Sequence, residues 1–161
     1  MTVFPEGKYR ELHLELSGLL TDDWISNLAN FSASIFTTLP DLNWCGFYLV
    51  REAYGPSHLK LGPFQGRPAC LDIPFDRGVC GNAARTGTTV IVNDVHEFPG
   101  HIACDERSRS ELVVPLIKNG RVIGVLDLDS PTVGRFSSAD AVGLESLVAL
   151  LLEKTTWPAQ I

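Results

Sequence analysis

Apolar residues recur at helical spacing in the N-terminal part of the chain. The segments "KYRELHLELSGLL" and "DWISNLANFSASIFTTL" place them mostly three or four positions apart, at Leu12, Leu16, Leu19, Leu20, Ile25, Leu28, Ile35 and Phe36. Such spacing lines one face of a helix, and the acidic start of the second segment suits a helix N-terminus. Residues 1–40 are therefore predicted to hold two helices.

Short β-rich runs replace the helical pattern from Asn43 to about residue 130. Six of them predict strands: "NWCGFYLV", "HLKLGPFQG", "ACLDIPF", "TVIVND", "SELVVPLIK" and "RVIGVLDLD". Asn119 and Gly120 can both take positive φ, so the last two runs are predicted to form an antiparallel hairpin. Between the third and fourth runs, "RGVCGNAARTG" is typical of a short helix that ends at Gly87.

A third amphipathic pattern closes the chain and completes the fold prediction. In "SSADAVGLESLVALLLEK", polar residues precede apolar ones at Val142, Leu144, Leu147, Val148 and Leu151, which predicts a helix over residues 137–156. Helices at both ends and strands over 43–130 predict an α+β fold with helices packed on an antiparallel sheet. At 161 residues and 45% hydrophobic composition, a single domain spanning 1–161 is expected.

The charge distribution and the N-terminal sequence bear on which partners and which location are expected. The formal net charge is −6 and the 13 basic residues are dispersed, which argues against nucleic acid and anionic membranes. The start "MTVFPEGKYRELHLEL" lacks the basic and apolar regions of a secretory leader, and no apolar run approaches the ~20 residues of a membrane span. A cytoplasmic location is expected, where any disulfide would be transient, catalytic or sensing.

Three of the four cysteines lie in or beside regular elements. Cys45, in the apolar run "NWCGFYLV", is expected to be a buried thiol. Cys70 follows the Gly- and Pro-rich "GPFQGRPA", where it is either exposed near a strand edge or a structural thiol. Cys80 lies near the start of the short helix. There the helix dipole would lower its pKa, unless the residue simply packs as a small side chain.

The fourth cysteine, Cys104, lies in a polar loop, "GHIACDERSRS". His101, Arg107 and Arg109 are close to it in sequence, and positive neighbours favour the thiolate form of a cysteine. An exposed thiol in such a loop is a candidate nucleophile. The alternative is an incidental loop cysteine.

Two chemistries could use these thiols. Zinc binding by Cys70, Cys80 and Cys104 with His96 or His101 is disfavoured, because structural zinc sites usually contain a close Cys pair two to four residues apart. In thiol redox chemistry, a nucleophilic thiolate takes an oxygen atom and becomes a sulfenic acid. A second thiol then closes this intermediate to a disulfide.

Carboxylates cluster on the predicted hairpin. Asp127 and Asp129 lie two apart in "GVLDLDSP" and so point to the same face of a strand. A register centred on the tight turn pairs Asp127 with Leu112 and Asp129 with Ser110, and it leaves the face of Glu111 open. The two aspartates could be solvated. In a pocket, clustered carboxylates would repel, so at least one would keep a proton near neutral pH and could donate it.

These residues together resemble the free methionine-(R)-sulfoxide reductases, a family of GAF-domain enzymes. The resemblance runs in order through "NWCGFYL", "LGPFQG", "IPFDRGVCG", "DVHEFPGHIACD", "SELVVPL", "GVLDLDSP" and "GRFSSAD". It implies a single GAF domain, with a six-stranded antiparallel sheet and helices on both sides, that forms a homodimer. The segment "REAYGPSHLK" departs from the family pattern because it is longer than such a hairpin needs.

By its motifs the resemblance also implies a mechanism. Cys104 in "GHIACD" would attack the sulfur of free methionine sulfoxide, and Cys70 in "GRPAC" would be the main resolving thiol. Cys80 in "RGVCG" would be a third thiol. The disulfide would be recycled by thioredoxin, and neither a metal nor an organic cofactor would be needed.

The implied substrate site consists of carboxylates and aromatic rings. Glu111, Asp127 and Asp129 would hold the amino group and polarise the sulfoxide oxygen. Trp44, with Tyr48, would form a wall for the S-methyl group, although a Trp at the start of a strand is more often a core residue.

A non-catalytic GAF sensor is the main alternative. Such a protein would bind a small molecule or report oxidation through its cysteines. Two features argue against a sensor: no attached output domain is expected in this chain, and a sensor does not need an acid cluster beside a nucleophile.

Overall fold

A computed structural model describes residues 7–161, so the first six residues of the predicted N-terminal segment lie outside the described residues. The helices are α1 (Lys8–Leu19), α2 (Trp24–Thr38), α3 (Gly78–Thr86) and α4 (Ser138–Lys154). The strands are β1 (Trp44–Val50), β2 (His58–Gly66), β3 (Asp72–Pro74), β4 (Val90–Val92), β5 (Ser110–Lys118) and β6 (Arg121–Ser130).

All six strands belong to one antiparallel sheet with the order β3-β2-β1-β6-β5-β4. Helices α1, α2 and α4 contribute to an apolar cluster on one face of this sheet. Helix α3 contributes to a second cluster on the opposite face. The predicted α+β fold, with a six-stranded antiparallel sheet between helices on both sides, is confirmed.

Alternation along β1 separates the two faces. Cys45 and Phe47 belong to the three-helix cluster, whereas Trp44 and Tyr48 belong to the cluster on the α3 side. Because side chains alternate along a strand, residues of β5 and β6 divide in the same way. Helix α3 has only nine residues, and the acidic positions of β5 and β6 lie on its side of the sheet, at Glu111, Asp127 and Asp129.

Side-chain capping fixes the starts of the long helices. The Asp23 side chain accepts a hydrogen bond from the backbone N–H of Ser26 at the start of α2, and Ser137 and Asp140 form a capping box on α4. Both helices were predicted, but not every apolar residue assigned to them is buried. Ile25 and Val142 are 55% and 54% exposed.

The β5–β6 hairpin contains an irregularity that the sequence did not predict. Next to the turn, Lys118 pairs with Arg121, as a register centred on Asn119–Gly120 requires. Further from the turn, Leu116 pairs with Gly124, so the register shifts by one residue. A β-bulge of this kind places one extra residue on one strand. Beyond the bulge, every residue of that strand therefore lies opposite a partner one position away from the one that a regular hairpin would give it.

The bulge brings three carboxyl groups to one face of the sheet. The predicted pairs Asp127–Leu112 and Asp129–Ser110 are wrong by one residue, because the prediction assumed a regular hairpin. Asp129 instead lies directly opposite Glu111. Directly opposite residues share a face, so the register aligns Glu111 with the aspartates.

The long segment between β1 and β2 lies against the C-terminal end of the chain. It forms a 3₁₀ helix over Glu52–Tyr54, and the Glu52 backbone N–H donates to the Ile161 carbonyl oxygen at 3.1 Å. The Tyr54 ring contacts the cationic groups of Arg51 and Lys60 at 5.4 and 4.4 Å. No helix within residues 7–161 is both long and apolar enough to cross a membrane, and the cytoplasmic location stays a prediction.

Candidate active site

A cavity lies on the α3 side of the sheet, beneath the loop that carries Cys104. Seven of the eight predicted site residues line it: Trp44, Tyr48, Cys80, Cys104, Glu111, Asp127 and Asp129. The eighth, Cys70, is joined to Cys104 by a disulfide. The structure therefore brings the whole predicted set together, while the role of each residue stays a prediction.

Cross-strand pairing positions the carboxyl groups at the floor of the cavity. Asp129 on β6 lies between Trp44 on β1 and Glu111 on β5. Asp127 lies opposite Gly46. A Cβ atom at Gly46 would lie 2.2 Å from the Cβ of Phe64, so only glycine allows the close approach of β1 and β2 at this point.

The disulfide between Cys70 and Cys104 joins the chain before β3 to the loop before β5. Their Cα atoms are 5.4 Å apart, within the range that a disulfide spans. The Tyr48 hydroxyl donates to the carbonyl oxygen of Cys70 at 3.1 Å. Both cysteines are half-buried, so the bond lies at the edge of the cavity.

Hydrogen bonds from Asn43, the residue before β1, hold the loop that follows Cys104. The Asn43 amide donates to Asp105 Oδ2 at 3.1 Å and to the Ser108 hydroxyl at 3.0 Å. Arg107 donates to both carboxylate oxygens of Asp105, at 3.1 and 2.8 Å. The Arg107 guanidinium and these hydrogen bonds hold the pKa of Asp105 well below its usual range.

The basic residues expected beside Cys104 are engaged with other carboxylates. Arg107 binds Asp105, and Arg109 lies 3.7 Å from Asp94. Their closeness to Cys104 in sequence therefore does not translate into contacts with its sulfur. Of the three predicted positive neighbours, His101 lines the cavity together with Cys104.

Burial and mutual repulsion raise the pKa values of all three floor carboxyls. Burial and the charge of Asp129 raise the pKa of Glu111 to about 8. Burial and the charge of Glu111 raise the pKa of Asp127, and burial and Asp127 raise that of Asp129. At least one of these groups therefore carries a proton at neutral pH, as predicted.

Cys80 and His101 complete the polar floor around Glu111. The Cys80 thiol donates to Glu111 Oε1 at 3.7 Å, and His101 Nε2 lies 3.7 Å from Glu111 Oε2. Burial and the neighbouring Asp127 raise the pKa of Cys80 well above its usual value. The predicted lowering by the helix dipole is wrong because burial outweighs it. Burial also lowers the pKa of His101, which favours a neutral ring.

Aromatic rings form one wall of the cavity. Trp44 stacks on Tyr48 and Phe64, with ring centroids 5.7 and 5.2 Å apart. Its indole N–H donates to the Arg67 carbonyl oxygen at 3.2 Å. Trp44 is thus both a buried residue of the α3-side cluster and part of the cavity lining.

Sequence reasoning missed several lining residues. Asp105 and Ser108 could have been found from their place beside Cys104 in the loop. The apolar members come from separate segments with no shared motif: Pro68, Ala69, Ile73, Val79 and Ile102.

The structure places a group of metal-ligating side chains together that differs from the zinc ligands considered from the sequence. Two members of that earlier set, Cys70 and Cys104, are bonded to each other, and His96 is exposed. Within residues 7–161, ligand atoms of Cys80, Glu111 and Asp127 instead lie within 4.8 Å of one another, and all three residues are buried.

Fold and site together define a small α+β domain whose cavity combines a disulfide with buried acids. A family model described as the GAF domain matches residues 26–151. The chain belongs to the GAF domain family.

Among its relatives, the free methionine-R-sulfoxide reductases of Escherichia coli and Saccharomyces cerevisiae are each 46% identical to it. The matches cover 89% and 80% of this chain, and 86% and 74% of those proteins. The fold also resembles a free methionine-R-sulfoxide reductase from Neisseria meningitidis solved in complex with its substrate. That structure has a TM-score of 0.86 and 45% identity, with coverage of 91% of this chain and 87% of the other. The predicted resemblance to this group of oxidoreductases is confirmed.

Proposed function

We propose that the protein reduces free methionine-(R)-sulfoxide to methionine by thiol chemistry. One observation carries the proposal: a Cys70–Cys104 disulfide lies at the edge of a cavity whose floor holds three acids with raised pKa values. A nucleophile, a resolving thiol and a proton donor are thereby adjacent. The similarity to reductases from three organisms supports the choice of substrate and of the (R) configuration.

The floor acids would divide the work of recognition and proton transfer. An ammonium group favours the charged forms of neighbouring carboxyls, so the amino group of the substrate would bind Asp127 and Asp129. Glu111, with a pKa of about 8, would keep its proton at neutral pH and face the sulfoxide oxygen. Trp44 and Tyr48 would contact the S-methyl group.

In the first chemical step, the Cys104 thiolate attacks the sulfur of the sulfoxide while Glu111 protonates the oxygen. The sulfur–oxygen bond of the substrate breaks, and the oxygen ends on Cys104 as a sulfenic acid. The substrate sulfur gains two electrons and the cysteine sulfur loses two, so methionine leaves in its thioether form.

In the second step, the Cys70 thiol attacks the sulfenic sulfur of Cys104 and releases water, which forms the disulfide. The Tyr48 hydrogen bond to the Cys70 carbonyl supports this role because it fixes the resolving cysteine beside Cys104. An external dithiol, here thioredoxin, then restores both thiols by exchange.

The disulfide-bonded state leaves too little room for the substrate. The free volume of the cavity is about 30 Å³, which is enough for one or two water molecules. We therefore include in the proposal that reduction precedes substrate binding and lets the loop that carries Cys104 move away from the floor. We propose further that the protein is cytoplasmic and forms a homodimer. The reaction would need neither a metal nor an organic cofactor.

Coupled turnover tests the proposal. NADPH consumption with thioredoxin is measured for free methionine-(R)-sulfoxide, the free (S) form and a peptide that contains methionine sulfoxide. Turnover of the free (R) form alone is expected for the unmodified protein. Cys104→Ser should abolish it, and Cys45→Ser should retain it, because Cys45 is buried on the opposite face of the sheet.

Failure would lead to the alternative function. If no substrate turned over with either thioredoxin or dithiothreitol, the reductase proposal would be wrong, and small-molecule binding by a GAF sensor would become the function to test. Light scattering of the purified protein tests the homodimer separately.

A further inference from the structure

Donor atoms of three kinds, a thiol, carboxyl groups and an imidazole, meet at the floor of the cavity. The Cys80 Sγ lies 3.7 Å from Glu111 Oε1, and His101 Nε2 lies 3.7 Å from Glu111 Oε2. Ligand atoms of Cys80, Glu111 and Asp127 all fall within 4.8 Å of one another. Bonds of ~2.0–2.3 Å to a tetrahedral Zn²⁺ put neighbouring donors ~3.4–3.7 Å apart, so small side-chain movements would complete the geometry.

Asp127 gives an independent reason to expect a cation. It is only 5% exposed, and its Oδ1 atom has no hydrogen-bond partner within the described part of the chain. A buried polar atom left unpaired costs free energy. Since Asp127 lines the cavity, a cation bound there would pair with this carboxylate.

The size of the cavity selects the kind of cation. A free volume of about 30 Å³ accommodates a metal ion with a water molecule, but not an amino acid. The cavity is not fully enclosed, so an ion can enter while the Cys70–Cys104 bond is intact.

We propose that the disulfide-bonded protein binds Zn²⁺ through Cys80, Glu111 and Asp127, and that His101, which lies beside the other oxygen of Glu111, turns in as the fourth donor. A thiolate and an imidazole beside carboxylates suit zinc better than magnesium or calcium, which prefer oxygen donors alone. Zinc binding does not depend on the proposed reductase activity. If that activity holds, the ion occupies carboxylates that receive the substrate after reduction, so it must leave before the substrate binds.

Cobalt(II) is the probe because it reports a thiolate ligand directly. In the disulfide form the free thiols are Cys45 and Cys80, both buried. Titration with Co²⁺ is expected to give a sulfur-to-cobalt charge-transfer band in the near ultraviolet that one equivalent of Zn²⁺ removes. Cys80→Ser should abolish the band. Cys45→Ser, the matched control on the other face of the sheet, should retain it.

A second variant keeps the thiol and removes a carboxylate. Asp127→Asn should weaken Zn²⁺ binding at least tenfold in calorimetry of the disulfide form, with circular dichroism confirming that each variant is folded. The proposal is overturned if the unmodified disulfide form gives no charge-transfer band. It is equally overturned if Cys80→Ser or Asp127→Asn binds Zn²⁺ as tightly as the unmodified protein.

Discussion

Replacing Glu111 by glutamine should lower the rate of sulfoxide reduction and, at pH 9, raise the free energy of unfolding. Burial, together with the charge of Asp129, raises the pKa of Glu111 from 4.5 to about 8. At pH 7 about nine-tenths of the folded molecules therefore carry this proton, whereas the unfolded chain has lost it. Glutamine keeps the shape of the protonated acid but cannot ionise or transfer a proton.

The sign of the stability effect follows from proton binding. Because the folded protein binds the proton more tightly than the unfolded chain, the free energy of unfolding falls as pH rises from about 4.5 to about 8. At low pH, the shift between these two pKa values contributes up to about 5 kcal/mol to the free energy of unfolding. This contribution is fully lost above pH 8. Glu111→Gln removes this loss, so the variant should be more stable than the unmodified protein at pH 9.

The catalytic effect has the opposite sign. Loss of a general acid costs ~10²–10⁴ in rate, measured as methionine formed in a single turnover by the reduced protein. The unmodified protein should also lose rate above about pH 8, as Glu111 ionises.

Urea unfolding of the disulfide form at pH 6 and pH 9, in buffer containing EDTA, provides the stability readout. Glu97→Gln is the control, since Glu97 is exposed and should change neither measurement. Equal pH dependence of unfolding in Glu111→Gln and the unmodified protein would refute the argument from burial. An unchanged single-turnover rate would refute the role as proton donor.

Two further predictions concern the sheet and the disulfide. Gly46→Ala should destabilise the protein by ~1–3 kcal/mol in urea unfolding, because the new methyl group would lie 2.2 Å from the Phe64 Cβ. Gly18→Ala, in open space on α1, should instead stabilise it by up to ~1 kcal/mol, and equal effects of the two would contradict the packing argument. Cys70→Ser should release one methionine per chain without added reductant and leave a sulfenic acid on Cys104 that dimedone traps. If Cys104 instead formed a disulfide with another thiol, as fast as it forms one in the unmodified protein, Cys70 would not be the resolving thiol.

The sequence predicted the elements of the fold because their patterns are local. Helical spacing, alternation and the Asn119–Gly120 turn each depend on residues close in the chain. The same alternation correctly placed Asp127 and Asp129 on one face. The exposure of Ile25 and Val142 could not be predicted, because burial depends on how the folded helices pack, which the local pattern does not specify.

Contacts between distant segments could not be predicted from the sequence. Local charge suggested that Arg107 and Arg109 would surround Cys104, but their nearest carboxylates are Asp105 and Asp94. The helix-start position of Cys80 suggested a lowered pKa, whereas burial beside acids raises it. The Arg109–Asp94 contact and the burial of Cys80 depend on segments that only the folded chain brings together, whereas Arg107 binds an acid of its own loop.

A single bulge links the fold to the chemistry of the site. With a regular hairpin, Glu111 would face away from Asp129 and into the apolar three-helix cluster. The shift between Leu116 and Ile117 turns it onto the cavity face, opposite Asp129. There burial and the neighbouring acid raise its pKa. A hairpin variant that restored a regular register would therefore remove the proposed proton donor without changing any residue that lines the cavity.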